Sequence, residues 1–259
     1  MSPRHVRSEP ARRPGSRLLA WTHGLLSCAV AAPGSRSPSP RRHILLAVVT
    51  ILVGAGCIVG LLWAEPEPTG GSRAVFIGDS YTHGTGASTP DRRWSTLVSR
   101  QAGWEEVNLG RGGTGYVATS GPAGCGRPAC PNYLGVLAAA AAEEPDVVVV
   151  AGGQNDFRAY GENPGRVVDN IDLTYRELRR LLPNARIIAV GPSTPAGTGD
   201  TLRSLDAAVH QAAELVGADY VSLIDPPVIT PQAVAPDGAH VNDLGHEAIA
   251  QRVLTVAER

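Results

Sequence analysis

Lysine is absent from this chain, and all 23 basic residues are arginine, which we read as codon bias of a GC-rich genome. Phenylalanine and methionine are also scarce, with two Phe and one Met among 259 residues. That scarcity argues against a wide apolar tunnel and favours a shallow, polar pocket. Positive charge is short in the larger part of the chain. Residues 73–259 carry fifteen Arg against twenty-one acids, whereas residues 1–72 carry eight Arg against three. A nucleic-acid groove needs clustered positive charge, so no nucleic-acid partner is expected. Only four cysteines occur, and no Cys/His/acid cluster has metal-ligand spacing, so neither metal nor cofactor is expected.

Long apolar runs are missing too, with one exception. Ile44 to Ala64 contains no charged residue, which matches the roughly 20 residues needed to cross a bilayer core. Arg41 and Arg42 precede it, and Glu65 and Glu67 come after it. The positive-inside rule then keeps the N-terminus in the cytoplasm and exports the chain beyond residue 64. The expected organisation is a disordered basic tail (1–42), a signal-anchor helix (43–64), a short linker (65–72) and one domain (73–259). Two rivals stand beside the anchor. A cleaved signal peptide is one, although its apolar region usually spans about 7–15 residues. Lipidation at Cys57 is the other, although Gly54 stands where an aliphatic residue is expected.

From Arg73 onward the pattern alternates between strand and helix. Strands are expected at Ala74–Ile77, Glu106–Leu109, Asp146–Ala151, Ala185–Val190 and Tyr220–Ile224. Helices are expected at Trp94–Ala102, Tyr133–Glu143, Arg166–Leu182, Thr201–Val216 and Asp243–Ala257. Val147 to Val150 is an unbroken β-branched run, the mark of a strand covered on both faces. Pro145 and Pro183 each stand where a helix must stop before the next strand. Five such units imply an α/β fold with a parallel, doubly wound sheet.

Four motifs fall at strand ends along one rim of that sheet. They are Gly78-Asp79-Ser80-Tyr81, the run Asn108 to Gly115 with its four glycines, Gly152-Gly153-Gln154-Asn155-Asp156, and Asp237-Gly238-Ala239-His240. Ligands of open α/β sheets bind at this rim. A serine hydroxyl is a poor nucleophile until a base takes its proton, and histidine, with a pKa of about 6.5, suits that task near neutral pH. Among seven histidines His240 is the best placed, because Asp237 three residues earlier can orient its imidazole. His83 has no comparable acid, and His246 is expected on the surface of the last helix. Asp79 is read as fixing the turn between strand and helix.

In this order and spacing the four motifs resemble the GDSL, or SGNH, hydrolase family, from about Ala74 to Ala257. The resemblance implies a three-layer α/β/α, flavodoxin-like fold with a five-stranded parallel sheet. It implies Ser80, Asp237 and His240 as catalytic residues, with an oxyanion hole made by the Ser80 and Gly113 N–H groups and the Asn155 amide. Gly110 or Gly112 takes the place of Gly113 if the loop bends differently. Two departures from the family pattern are Val241, where many relatives carry Pro, and Gln154 at a variable position.

Cys125 and Cys130 are expected to form a disulfide in an exported domain, tying off a loop at the rim. Loops rich in Gly and Pro are expected to wall the site, with Tyr116, Tyr133, Phe157 and Tyr160 as their aromatics. The activity implied is hydrolysis of short-chain or acetyl esters on a small molecule or glycan. Two alternatives are acyl transfer to a glycan hydroxyl and a non-catalytic glycan-binding module on the same scaffold.

Overall fold

A computed structural model describes residues 71–197 and 199–258. The expected tail, the membrane-spanning segment 43–64 and most of the linker lie outside the described residues. Among the described residues no helix is long and apolar enough to cross a membrane. In chain order the elements are β1 (Arg73–Gly78), α1 (Ser80–His83), α2 (Trp94–Ala102), β2 (Glu105–Asn108), α3 (Pro122–Cys125) and α4 (Tyr133–Ala142). Next come β3 (Val147–Ala151), α5 (Phe157–Glu162), α6 (Pro164–Leu181), β4 (Arg186–Val190), α7 (Asp200–Leu215), β5 (Asp219–Val221) and α8 (Asp243–Ala257).

The five strands form one parallel sheet in the order β2-β1-β3-β4-β5. This is the doubly wound, flavodoxin-like order, whose direction of winding reverses between β1 and β3. Alternate residues of each strand feed two separate cores. Ala74, Phe76, Val147, Val149, Ile188 and Val190 pack against α2 and α8. Val75, Ile77, Val148, Val150, Ile187 and Ala189 pack against α4, α6 and α7. A strand buried on both faces needs an apolar residue at every position, which is why Val147 to Val150 is continuous. Each such side chain contributes about 1.5–3 kcal/mol on burial.

The structure corrects several expectations. β5 stops at Val221 rather than Ile224, because the Ser222 hydroxyl accepts from the Ile224 and Asp225 N–H groups and turns the chain away. Phe157–Glu162, expected as loop, is a helix too short to show periodicity. Tyr116 and Tyr133 do not wall the site. They are buried in the core, their rings 5.0 Å apart and edge to face, and the Tyr116 hydroxyl lies 3.0 Å from that of Tyr175.

His246 is fully buried, not on the surface. It lies one helical turn before Ile249 and Ala250, on the apolar stripe of α8, and that period carries it inward. Its Nδ1 accepts from the Trp94 N–H at 3.4 Å, and its Nε2 lies 3.2 Å from the Thr85 carbonyl. The imidazole thus joins α8 to the start of α2 and to the loop after α1. Burial holds its pKa below the ordinary value, with the Thr85 carbonyl and Asp243 pulling the other way.

Candidate active site

β1 ends at Gly78, and the chain turns at once into α1. Asp79 makes that turn, its carboxylate accepting from the Tyr81 N–H at 2.9 Å as an N-cap. This is the role expected for it. Asp79 is also fully buried, and the Tyr133 hydroxyl lies 3.2 Å from its other oxygen. Burial pushes the Asp79 pKa up to about 7, against the opposing pull of the Tyr81 N–H and the Tyr133 hydroxyl. Ser80 is the first residue of α1 and is partly exposed at the rim.

The histidine arrives from the far end of the chain. Val234 and Val241 form a β-bridge, and the Ala235 N–H donates to the His240 carbonyl at 2.8 Å, so the intervening residues make a closed turn. Inside it Asp237 Oδ1 accepts from the Ala239 and His240 N–H groups, both at 2.9 Å. Its Oδ2 lies 2.6 Å from His240 Nδ1. The three N–H groups hold the Asp237 carboxylate well below the usual carboxylate range, the His240 backbone contributing most. With its Nδ1 hydrogen given to Asp237, the imidazole presents Nε2 as an acceptor.

Asn242 anchors the turn by capping α8 while donating to the Gln232 and Val234 carbonyls. Val241, the departure from the family pattern, is a buried core residue. Tyr81 links this turn to the serine. Its hydroxyl donates to the Ala239 carbonyl at 2.9 Å, and its ring lies 6.0 Å from the His240 ring. Ser80 Oγ and His240 Nε2 are not hydrogen-bonded to each other. Such contacts are often loose in free enzymes and tighten once substrate is bound.

The glycine loop completes the rim beside the serine. The Arg111 N–H donates to the Gly78 carbonyl at 2.9 Å, which lays the loop beside Ser80. A Cβ placed on Gly112 would stand 3.9 Å from that of Ser80. Gly113 takes a φ of 76°, a conformation glycine adopts without strain. Neither the Ser80 N–H nor the Gly113 N–H has an acceptor among the described residues. Asn155 reaches the loop from the end of β3, its amide donating to the Thr114 carbonyl at 2.9 Å. One amide hydrogen is thereby used, and the second remains.

Sequence reasoning assigned no role to Asp156, and it is central here. Fully buried, it accepts from the N–H groups of Tyr116, Val117 and Ala118 at 2.7, 3.1 and 2.8 Å. Those are the residues directly after the glycine loop. Its position after Asn155 was the available signal, but an acid in a turn ordinarily reads as a cap. His83, by contrast, is exposed at the end of α1, and no acid orients it. Partial burial, with Arg111 and Arg93 nearby, lowers its pKa.

A narrow crevice behind the rim, with a cavity volume of about 10 Å³, is lined by Asp79, Tyr81, Gln154, Val190, Ser193 and Leu223, among others, and by neither Ser80 nor His240. Two buried atoms on it, Thr82 Oγ1 and Gln154 Oε1, have no hydrogen-bond partner among the described residues. Cys125 and Cys130 are joined in a disulfide, with their Cα atoms 6.6 Å apart. Among the described residues no group of three or more His, Cys or acids could hold a metal.

Fold and rim together are those of a carboxylic ester hydrolase. The chain belongs to the GDSL-like lipase/acylhydrolase family, whose pattern it matches over residues 76–248. It is 29% identical to the GDSL lipase Rv0518 of Mycobacterium tuberculosis over 226 residues, covering 79% of this chain and 94% of that protein. Among solved structures, TesA superposes with a TM-score of 0.57 at 18% identity, over 71% of this chain and 96% of that one. The acetyl xylan esterase Est2A of Butyrivibrio proteoclasticus gives 0.53 at 16% identity, over 74% and 64% respectively. At these identities the structural likeness concerns the fold.

Two outcomes are expected from the two buried carboxylates. Asp156→Asn turns one acceptor oxygen into a donor facing N–H groups, so the loop should shift. We expect kcat on a small aryl ester to fall on the order of tenfold, a fraction of the cost of losing an oxyanion donor outright. KM and the circular dichroism spectrum should change little, whereas an unchanged kcat would show that the loop holds itself. For Asp79, a folded pKa of about 7 lies above the unfolded value of about 3.9. Its contribution to stability is therefore present at low pH and is lost as pH rises through about 7. The Tm of Asp79→Asn should accordingly improve relative to the wild type between about pH 4 and pH 8. A constant difference across that range would contradict the buried acid.

Proposed function

We propose that this protein is an exported serine esterase that cleaves short-chain or acetyl esters, carried on carbohydrate, through an acyl-enzyme at Ser80. The observation that carries the reading is the 2.6 Å contact between Asp237 and His240 Nδ1, in a turn whose Ala239 carbonyl accepts from the hydroxyl of Tyr81, the residue after Ser80. In the proposed cycle Ser80 Oγ attacks the carbonyl carbon and its proton passes to His240 Nε2. Asp237 stabilises the imidazolium. The developing oxyanion accepts from the Ser80 and Gly113 N–H groups and from the remaining hydrogen of the Asn155 amide. Collapse sends the proton from His240 to the departing alkoxide. Water then repeats the sequence and frees the acid and Ser80.

The preference for small acyl groups rests on composition, since two Phe and one Met leave little to wall a long acyl tunnel. The fold shared with an acetyl xylan esterase accords with an acetylated glycan. Export and membrane attachment rest on the uncharged run Ile44 to Ala64 behind Arg41 and Arg42. A disulfide in the domain fits an oxidising compartment.

Ser80→Ala and His240→Ala are each expected to abolish p-nitrophenyl acetate hydrolysis while leaving the thermal transition in place. Full activity in Ser80→Ala would end the proposal, and a fluorophosphonate probe that fails to label Ser80 would favour a non-catalytic glycan-binding module. Attachment is tested by alkaline extraction of membranes. The full chain should stay in the pellet and a chain starting at residue 71 should not, whereas recovery of both in the supernatant would refute the anchor.

A further inference from the structure

The outer side of the glycine loop carries a feature the ester chemistry does not use. Between that loop, the disulfide-closed turn and α4 runs a groove of about 490 Å³, its open mouth included. Its floor is apolar, with Leu109, Val136 and Ala139, and Arg111 and Arg127 stand in its walls. No carboxylate lines it. Arg111 spends one N–H on the Gly110 carbonyl, at 2.6 Å, and Arg127 makes no side-chain hydrogen bond or ion pair among the described residues. Most other arginines of the domain are neutralised, as Arg73 is by Glu105 and Glu143 and Arg93 by Glu106.

The backbone that carries both arginines is held in place. Arg111 sits beside Gly112, and its own N–H is bonded to Gly78, two residues before Ser80. Arg127 lies inside the ring closed by the Cys125–Cys130 disulfide, and Cys130 is paired in both directions with Ser120, at 2.8 and 3.0 Å. The disulfide thus presents an arginine on a closed loop instead of leaving it on a free tip. Two like charges facing one groove repel, and partial burial, with Arg127 nearby, lowers the pKa of Arg111. Guanidinium remains charged at any physiological pH, so the repulsion is relieved by an anion and not by loss of a proton. The forked donors match the paired oxygens of a carboxylate or phosphate.

We propose that Arg111 and Arg127 form a subsite for an anionic group on the ester substrate, a carboxylate or a phosphate, with the apolar floor receiving the carbon skeleton that bears it. The subsite rests on the esterase reading and narrows its substrate class to acidic esters. The same groove accounts for two arginines beside the glycine loop that have no carboxylate partner among the described residues.

The test compares 4-acetoxybenzoate and 4-acetoxyphenyl phosphate with the neutral methyl 4-acetoxybenzoate, in the wild type and in Arg127→Gln. The Arg127 side chain is exposed and has no partner among the described residues, so its replacement should leave the thermal transition in place. The wild type should favour a charged ester in kcat/KM on the order of tenfold, as expected for a charge-assisted hydrogen bond. Arg127→Gln should lose that preference, and the better of the two charged esters identifies the anion. Equal rates on charged and neutral esters in the wild type, or a preference that survives Arg127→Gln, would overturn the subsite. Calorimetric titration with benzoate and phenyl phosphate reads it without turnover. Binding weakened by Arg127→Gln upholds the subsite even if no ester is hydrolysed, in which case the esterase reading alone falls. No binding by the wild type, or equal binding by both proteins, overturns the subsite.

Discussion

The segment from Gly110 to Ala118 has no regular secondary structure, yet it must hold N–H groups still beside Ser80. What holds it is a fully buried carboxylate, Asp156, gripping the three N–H groups of Tyr116, Val117 and Ala118. Asn155 on the preceding residue ties Thr114, and the Arg111 N–H is bonded to Gly78. β3 therefore delivers two adjacent side chains that fasten the loop, and β1 supplies the third attachment. Without these attachments, glycine's conformational freedom would leave the loop without a defined shape. The preorganised donors that ester hydrolysis calls for need this kind of external bracing.

Three carboxylates near the site have distinct environments and correspondingly distinct tasks. Asp237 is substantially exposed and surrounded by donors, so it stays ionised beside His240. Asp79 is fully buried with fewer donors, and its pKa rises to about 7. Burial raises the Asp156 pKa above the usual carboxylate value, against the opposing pull of its three backbone donors. Only Asp237 has the geometry to orient an imidazole. The other two shape backbone, and position along the strand ends decides which is which.

Much of this was legible in the sequence. The two-sided burial of β1, β3 and β4 stems from unbroken apolar runs, and the helix limits at Trp94, Ala102, Asp243 and Ala257 agree with the periodic pattern. The contact between Asp237 and His240 came from a three-residue spacing within a turn. Less visible were features set by tertiary contacts. Tyr116 and Tyr133 sit in glycine- and proline-rich surroundings that resemble surface loop, yet their rings fill the core between α4 and α6. His246 looked polar and therefore exposed, although its helical spacing to Ile249 and Ala250 pointed inward. Asp156 lay in plain view within Gly-Gln-Asn-Asp, but its three partners are some forty residues away and cannot be inferred from local pattern.

The most direct test of the account is chemical capture of the intermediate. Rapid acid quenching of the wild type during p-nitrophenyl acetate turnover, with peptide mass spectrometry as the readout, should find a single acetyl group on Ser80. His240→Ala should yield none on the same timescale. Acetylation of another residue, or turnover with Ser80 unmodified throughout, would contradict the assignment of Ser80 as nucleophile.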